Sequence, residues 1–175
     1  MTRHSSALTT VNSSARVDTR PSICCKFSNV KGWGPGPYPH VTMFEAANRI
    51  MSDLVILYGV QWLLNTAAFP FDSYTVEYGN ENNNGFDVCA TDLDKILIGE
   101  AFNVAPSFFQ TKKASMLKKL AASTADYKII MFNHDAVAPN YTPKPNNGEY
   151  FLFVRVGTDH SYMVPPLARA QRSCS

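Results

Sequence analysis

Between Gly85 and Lys113 the chain reads GFDVCATDLDKILIGEAFNVAPSFFQTKK, and this stretch leaves few options for the fold around it. Two short apolar runs, Phe86 to Thr91 and Ile96 to Val104, flank the polar turn Asp92-Leu93-Asp94-Lys95. Runs of that length bounded by turn residues predict β-strands. Each carries one carboxylate, Asp87 in the first and Glu100 in the second. Side chains alternate faces along a strand. Asp87 therefore shares a face with Cys89 and Thr91, and Glu100 shares one with Ile96, Ile98 and Phe102.

Folding the runs onto each other sets the two acids against one another. With Leu93-Asp94 as a two-residue loop, Asp92 pairs with Lys95, and counting back brings Asp87 opposite Glu100. A four-residue loop with the same centre keeps that pairing. Directly opposed residues have Cβ atoms ~5 Å apart, and like charges there destabilise a sheet. Such a pair calls for a third party, and a divalent cation is the usual one. Mg²⁺ takes hard oxygen ligands in this way, with water and phosphate completing its shell. The other reading is a hairpin out of register with one carboxylate in solvent, since Leu-Asp is not a favoured hairpin loop.

Pro106 ends the second strand, and Ser107-Phe108-Phe109-Gln110 has the S-x-x-Q form of a capping box, which predicts a helix from Ser107. Phe109, Lys113, Met116, Leu117 and Leu120 recur at three- and four-residue spacing and mark one face. That pattern sets Gln110 and Lys113 in the first turns, pointing back toward the sheet end that holds Glu100. Lys112, Lys118 and Lys119 read as the solvated outer face of the same helix.

Upstream, Thr42-Met43-Phe44-Glu45 is a T-x-x-E capping box. It predicts a long helix to about Asn65, with Phe44, Ala47, Met51, Leu54, Tyr58 and Trp62 as the buried stripe and Gly59 as a point of splitting or bending. Glu45 has two readings, a helix cap or a third acid for the metal site. Ser73 to Gly79 alternates as a strand, and Asn80 to Gly85 is a turn or exposed loop. Tyr127 to Asn133 is a short buried strand, joined to its predecessor by a crossover helix. Asn133-His134-Asp135 reads as a loop hydrogen-bond pair at a strand end. Glu149 to Val156 is the final strand, at an edge or under an insertion.

The 175 residues carry a net charge of +2 and suffice for one core. Charge alone announces neither nucleic acid nor an anionic membrane, and no apolar run nears the ~18 residues of a membrane span. Residues 1–30, rich in Ser, Thr and Arg, lack a hydrophobic signal core. They read as a disordered tail, with an organelle transit peptide as the second reading. Residues 31–164 form the single domain, opening with the Gly/Pro-rich segment Lys31–His40, and residues 165–175 are a frayed tail. The four cysteines, Cys24, Cys25, Cys89 and Cys174, contain no C-x-x-C pair. They are expected to be reduced thiols of an intracellular, cytoplasmic protein, with Cys89 a small buried hydrophobe.

The assembled order, helix, strand, strand, strand, helix, strand, with an acid on the second strand and another on the third, resembles the PD-(D/E)XK nuclease superfamily. The resemblance covers about Val41 to Asn133. It implies an α/β, restriction-endonuclease-like core of αβββαβ order, with a mixed central sheet flanked by helices and one extra C-terminal strand. It implies Asp87 as the metal-binding aspartate, Glu100 as the acid of the (D/E)-x-K element and Glu45 as the acid many members place on the first helix. The lysine due two residues after Glu100 is replaced by Phe102. Some members carry that lysine on the following helix, where Lys113 is the first candidate and Lys112 the second; Gln110 resembles the glutamine some members carry there. The activity implied is Mg²⁺-dependent phosphodiester hydrolysis, with Mn²⁺ as a substitute ion. The partner implied is nucleic acid, DNA before RNA, with no membrane, and a homodimer is compatible with it. Two alternatives stand beside this: a catalytically silent relative serving as a nucleic-acid-binding or assembly module, and a small α/β binding domain with no nucleic-acid role.

Overall fold

The computed structural model describes residues 41–79 and 85–167. The N-terminal tail, the Lys31–His40 segment, the loop at residues 80–84, Cys24, Cys25 and Cys174 lie outside the described residues.

Helix α1 spans Met43–Thr66, and its first turn is fixed as the sequence predicts, with the Glu45 amide donating to the Thr42 hydroxyl at 3.2 Å. It stops where Ala67 turns left-handed (φ 46°) and closes back on the last carbonyls. After β1 (Thr75–Val76) come β2 (Val88–Asp92) and β3 (Lys95–Phe102), the expected hairpin. A single 3₁₀ turn, Pro106–Phe108, leads into α2 (Phe109–Ala121). Strand β4 is Tyr127–Asn133, β5 is Glu149–Val154 and β6 is Tyr162–Val164.

The six strands form one mixed sheet in chain order. β1, β2 and β3 are antiparallel neighbours, β3, β4 and β5 are parallel, and β6 returns antiparallel to β5. Two helices cover its faces. Leu97, Ala101, Ile129, Met131, Leu152 and Val154 join Val55, Val60 and Leu63 in the core beneath α1. The alternate residues Ile98, Phe102, Ile130, Phe132, Phe151 and Phe153 join Phe109 and Leu120 beneath α2. Burial on both faces explains why β4 and β5 read as unbroken apolar runs. The molecule is thus α/β, with a mixed sheet flanked by helices.

The structure corrects the sequence reading at four places. The fully buried residues of α1 are Val55, Ile56, Gly59, Val60 and Leu63; of the expected stripe, Tyr58 and Trp62 pack half-buried against the same core, while Phe44 is 78% exposed. The helix is apolar on more than one side, so spacing alone did not select the face that meets the sheet. Gly59 does not split it but brings the helix onto Met131 and Leu152. Ser107 forms no capping hydrogen bond, because Ala105 and Pro106 start a 3₁₀ turn in its place. Finally, β5 is not the last strand, since Tyr162–Val164 pairs along its outer edge.

The packing at Gly99 is a close strand-to-strand approach. A Cβ built there lies 2.6 Å from Ile129 Cγ2, 3.3 Å from the Ile129 carbonyl oxygen and 3.4 Å from Val88 Cβ. Ile129 is fully buried and cannot retreat. Gly99→Ala is expected to cost about 2 kcal/mol by overpacking, read as a lower urea midpoint. In a double-mutant cycle with Ile129→Ala the two costs should fall short of their sum; full additivity would show that the contact is not the cause.

Candidate functional site

The hairpin register is the one the turn predicts. Asp92 pairs with Lys95, and the ladder runs on to Val88 against Gly99. The ladder ends there; Asp87 immediately precedes β2, and its carboxylate reaches the Ala101 amide next to Glu100. The unfavoured Leu-Asp loop is accommodated by Leu93 in the left-handed region (φ 45°), its side chain out in solvent. Asp126 secures the turn: one carboxylate oxygen accepts from the Ile96 amide at 3.0 Å and the other from Lys95 Nζ at 2.9 Å.

The two acids sit in contrasting but related settings. Asp87 Oδ2 accepts the Ala101 amide at 2.7 Å, which ties the start of β2 to the end of β3. Glu100 is 3% exposed and meets Lys119 Nζ at 2.6 Å. That contact is an ion pair by distance, but no donor meets the buried Oε1 at hydrogen-bonding angles. Burial pushes the Glu100 carboxyl above its ordinary range, Lys119 opposes the rise and Asp87 adds to it. Burial likewise raises Asp87, against the Ala101 amide, Lys119 and Lys112, while Glu77 adds to it.

These groups line a cleft of about 460 Å³ at the C-terminal end of β3, between the start of α1 and α2. Asp87, Glu100, Lys112 and Glu45 are brought together there. Glu45 is held by Arg49 at 2.6 Å. Asn103 braces the floor, its amide donating to Ser52 Oγ at 3.1 Å and its side-chain oxygen accepting from Asn133 at 3.0 Å. Gln110 and Lys113 are not among the lining residues. Gln110 is exposed, and Lys113 donates to the Tyr141 hydroxyl at 2.9 Å with its ammonium 5.0 Å from that ring's centre.

Two cleft residues escaped the sequence reading. Lys119, assigned there to the solvated face, is the partner of Glu100. The signal was present: Lys112, Met116 and Lys119 recur at four- and three-residue spacing and all line the cleft. Glu77 follows β1, is 7% exposed, and its amide donates to the Asp87 carbonyl at 2.9 Å. The alternation of Ser73–Gly79 offered that signal, but only a known β1–β2 register aligns Glu77 with Asp87. Phe102, in the lysine position, is core: it lies 5.8 Å from both Phe109 and Phe132, centre to centre. His134 and Asp135 stand 3.7 Å apart, with Arg155 3.4 Å from the imidazole, as a surface cluster.

The cleft is acidic on balance. Glu45, Asp53, Glu77, Asp87 and Glu100 face Arg49, Lys112 and Lys119, five carboxylates against three cations. Among the described residues no group of three or more His, Cys, Asp or Glu side chains is placed to hold a metal ion. Two adjacent carboxylates with one buried, poorly satisfied oxygen do match what Mg²⁺ takes from a protein, one or two carboxylates with water and substrate oxygens supplying the rest. Cys89 nearby does not change this donor set, since burial and then Glu77, Glu100 and Asp87 hold its thiol above the ordinary range, hence protonated. No protein-family model, curated protein or solved structure matches the chain.

The raised carboxyls have a consequence for stability. A carboxyl held above its unfolded value makes the folded state bind more protons, so its contribution weakens as pH rises through that window. Glu100→Gln removes the ionisable group at similar size. Between about pH 4 and pH 8, wild type should lose stability relative to Glu100→Gln as pH rises, measured by urea midpoints of the two proteins in parallel. A difference that does not move with pH would place no unfavourable burial on this carboxyl.

Proposed function

We propose that the protein is a Mg²⁺-dependent nuclease of the PD-(D/E)XK type, hydrolysing phosphodiester bonds in nucleic acid, DNA before RNA. The observation that carries this reading is the meeting of Asp87, tied to the Ala101 amide, and Glu100 of β3 in one cleft that α2 overlooks with two lysines. The order αβββαβ, with Asp87 immediately before the second strand, Glu100 on the third and a parallel crossover through α2, supports it.

On this reading Asp87 and Glu100 hold the cation, with a backbone carbonyl at the end of β3 as a third oxygen donor. The bound ion supplies a more acidic water and offsets charge on the phosphate. The chain's own groups do the rest. The Ala101 amide fixes the rotamer of Asp87. Lys119, on a helix and already beside Glu100, takes the place of the missing strand lysine and turns its ammonium to the water or to a phosphate oxygen. Lys112, one face-repeat earlier, extends positive charge along the same side of the cleft. Lys113 is withdrawn by Tyr141, so the lysine role passes to Lys119 with Lys112 second.

Asp87→Asn and Glu100→Gln should each reduce Mg²⁺-dependent cleavage of plasmid or single-stranded DNA by on the order of a thousandfold, with circular dichroism unchanged. Lys119→Ala should cost about a hundredfold, the scale of a positioned proton-transfer group, while Lys113→Ala leaves turnover near wild type. Unchanged cleavage in both carboxylate variants would sink the reading. A second reading rests on Phe102, a buried ring in the position of the motif lysine: the fold then serves as a silent nucleic-acid-binding module. Salt-sensitive binding without turnover in either Mg²⁺ or Mn²⁺ distinguishes it.

A further inference from the structure

We propose that Asn103 binds a phosphate oxygen in the cleft through its side-chain NH2, and that Asn133 is the positioning residue that turns this donor to the ligand. The inference rests on the proposed reaction for the ligand, a phosphodiester, and on hydrogen bonding alone for the donor.

The two ends of a carboxamide have the same shape, and their partners tell them apart: the oxygen accepts and the NH2 donates. Behind the cleft one partner is unambiguous. The Asp135 amide is a backbone N–H that can only donate, and it meets the Asn133 side chain at 3.2 Å. The Asn133 atom on that side is therefore its oxygen. Its nitrogen stands at the other end and donates to Asn103 at 3.0 Å. The Asn103 atom facing Asn133 is in turn an oxygen, which leaves the Asn103 NH2 over. Among the described residues nothing accepts from it.

The spare donor is presented to the cleft on a fixed base. Asn103 is half-buried and lines the cleft, whereas Asn133 is 9% exposed and is not among the lining residues. With its oxygen turned to Asn133 behind the floor, the nitrogen is the end of Asn103 that faces the cleft. The backbone is held from the other side. The Asn103 amide donates to Ser52 Oγ at 3.1 Å, and the Ser52 hydroxyl donates to the Asn48 carbonyl at 3.0 Å. Asn103 is thus tied to β4 by its side chain and to α1 by its main chain. A donor ordered before its ligand arrives loses little freedom on binding.

The surroundings choose the acceptor. Lys112 and Lys119 line the same cleft and favour an anionic oxygen over a neutral one. Lys119 is engaged by Glu100, whereas the Asn103 NH2 has no carboxylate to leave. Being uncharged, it adds a donor without drawing a further acid into an already acidic cleft. Asparagine amides are ordinary ligands of phosphate oxygens in nucleic-acid complexes. Asn103 follows Glu100 by three residues at the end of β3, so the phosphate it holds lies beside the acid assigned to the cation.

The test is an NMR titration of the side-chain NH2 signals of the full chain with inorganic phosphate in Mg²⁺, with chloride at equal ionic strength as the blank. Asn103→Asp and Asn133→Asp are run beside wild type. Asn103→Asp keeps the acceptor for Asn133 and loses the donor. Asn133→Asp keeps the acceptor for the Asp135 amide but can only accept from Asn103, and so draws that NH2 away from the cleft. Phosphate should shift the Asn103 NH2 signals in wild type, and in Asn133→Asp those signals should already differ before phosphate is added. Both variants should weaken phosphate binding about tenfold or more and lower kcat/KM for DNA cleavage on the order of thirtyfold at unchanged Tm, the scale of one hydrogen bond to a charged group. Wild-type Asn103 signals that ignore phosphate overturn the proposal, and this result needs no variant to fold. DNA cleavage by Asn103→Asp at the wild-type kcat/KM overturns it too and leaves the nuclease reading standing. Phosphate-dependent Asn103 shifts in a chain that cleaves no DNA uphold the donor and remove the nuclease reading alone.

Discussion

The register of the β2–β3 hairpin is the constraint on which the rest depends. A slip of one residue would turn every side chain of β3 to the other face, carrying Glu100 from the α2 side to the α1 side and exchanging the two cores. What holds the register is not the turn sequence, which requires a leucine at positive φ. The two buried faces of β3 hold it, and Asp126, at the far end of the α2 crossover, adds to them by taking both the Ile96 amide and the Lys95 ammonium. The hairpin is thus locked by the segment that enters β4, so the antiparallel meander and the parallel half of the sheet fix each other. The lowered Asp126 carboxyl, caused first by Lys95 and then by the Ile96 amide, makes this lock strongest above the ordinary carboxylate range and weakens it as pH falls.

What could be read from the sequence follows from which periods were unambiguous. Strand alternation has a period of two, so once the turn was centred, the alignment of Asp87 with Glu100 followed by counting, and the structure keeps that register. Helix rotation has no such anchor. In α2 neighbouring lysines differ by 100° of azimuth, and only the packing of Phe109 and Leu120 decides that Lys112 and Lys119 face the acids while Lys113 turns to Tyr141. In α1 apolar residues occur on more than one side, and of the sequence stripe only its C-terminal members Tyr58 and Trp62 reach the core. Glu77 was hidden for a different reason, since its alignment with Asp87 depends on a pairing reached across residues 80–84. Strand β6 is three residues long, too short for alternation to show.

The cleft spends stability on its acids. Glu77 just after β1, Asp87 just before β2 and Glu100 on β3 all line the one cleft, Glu77 and Glu100 buried beyond nine-tenths. Burying like charges side by side is unfavourable unless partners satisfy them, and the partners present do so incompletely. Both Asp87 and Glu100 remain raised despite Lys119 and Lys112. A fold selected for stability alone would place apolar residues here, as it does at every neighbouring position of β3. Departures of this kind concentrate where a site is kept for its chemistry.

The charge balance of the cleft bears on the order of events under the proposed reading. With five carboxylates facing three cations, a phosphodiester entering alone would meet net repulsion. The buried Glu100 oxygen that Lys119 approaches without a hydrogen-bonding angle is held by charge and not by geometry, so a second cation can compete for it. On the proposed reading Asp87 and Glu100 would hold the divalent ion, whose two charges would cancel the cleft's excess of two carboxylates. Lys119, beside Glu100 at the cleft, would be the cation placed to face an anionic oxygen there. Because Lys119 stands on α2 and not on β3, its turning to that oxygen moves a flexible side chain and leaves the hairpin register untouched.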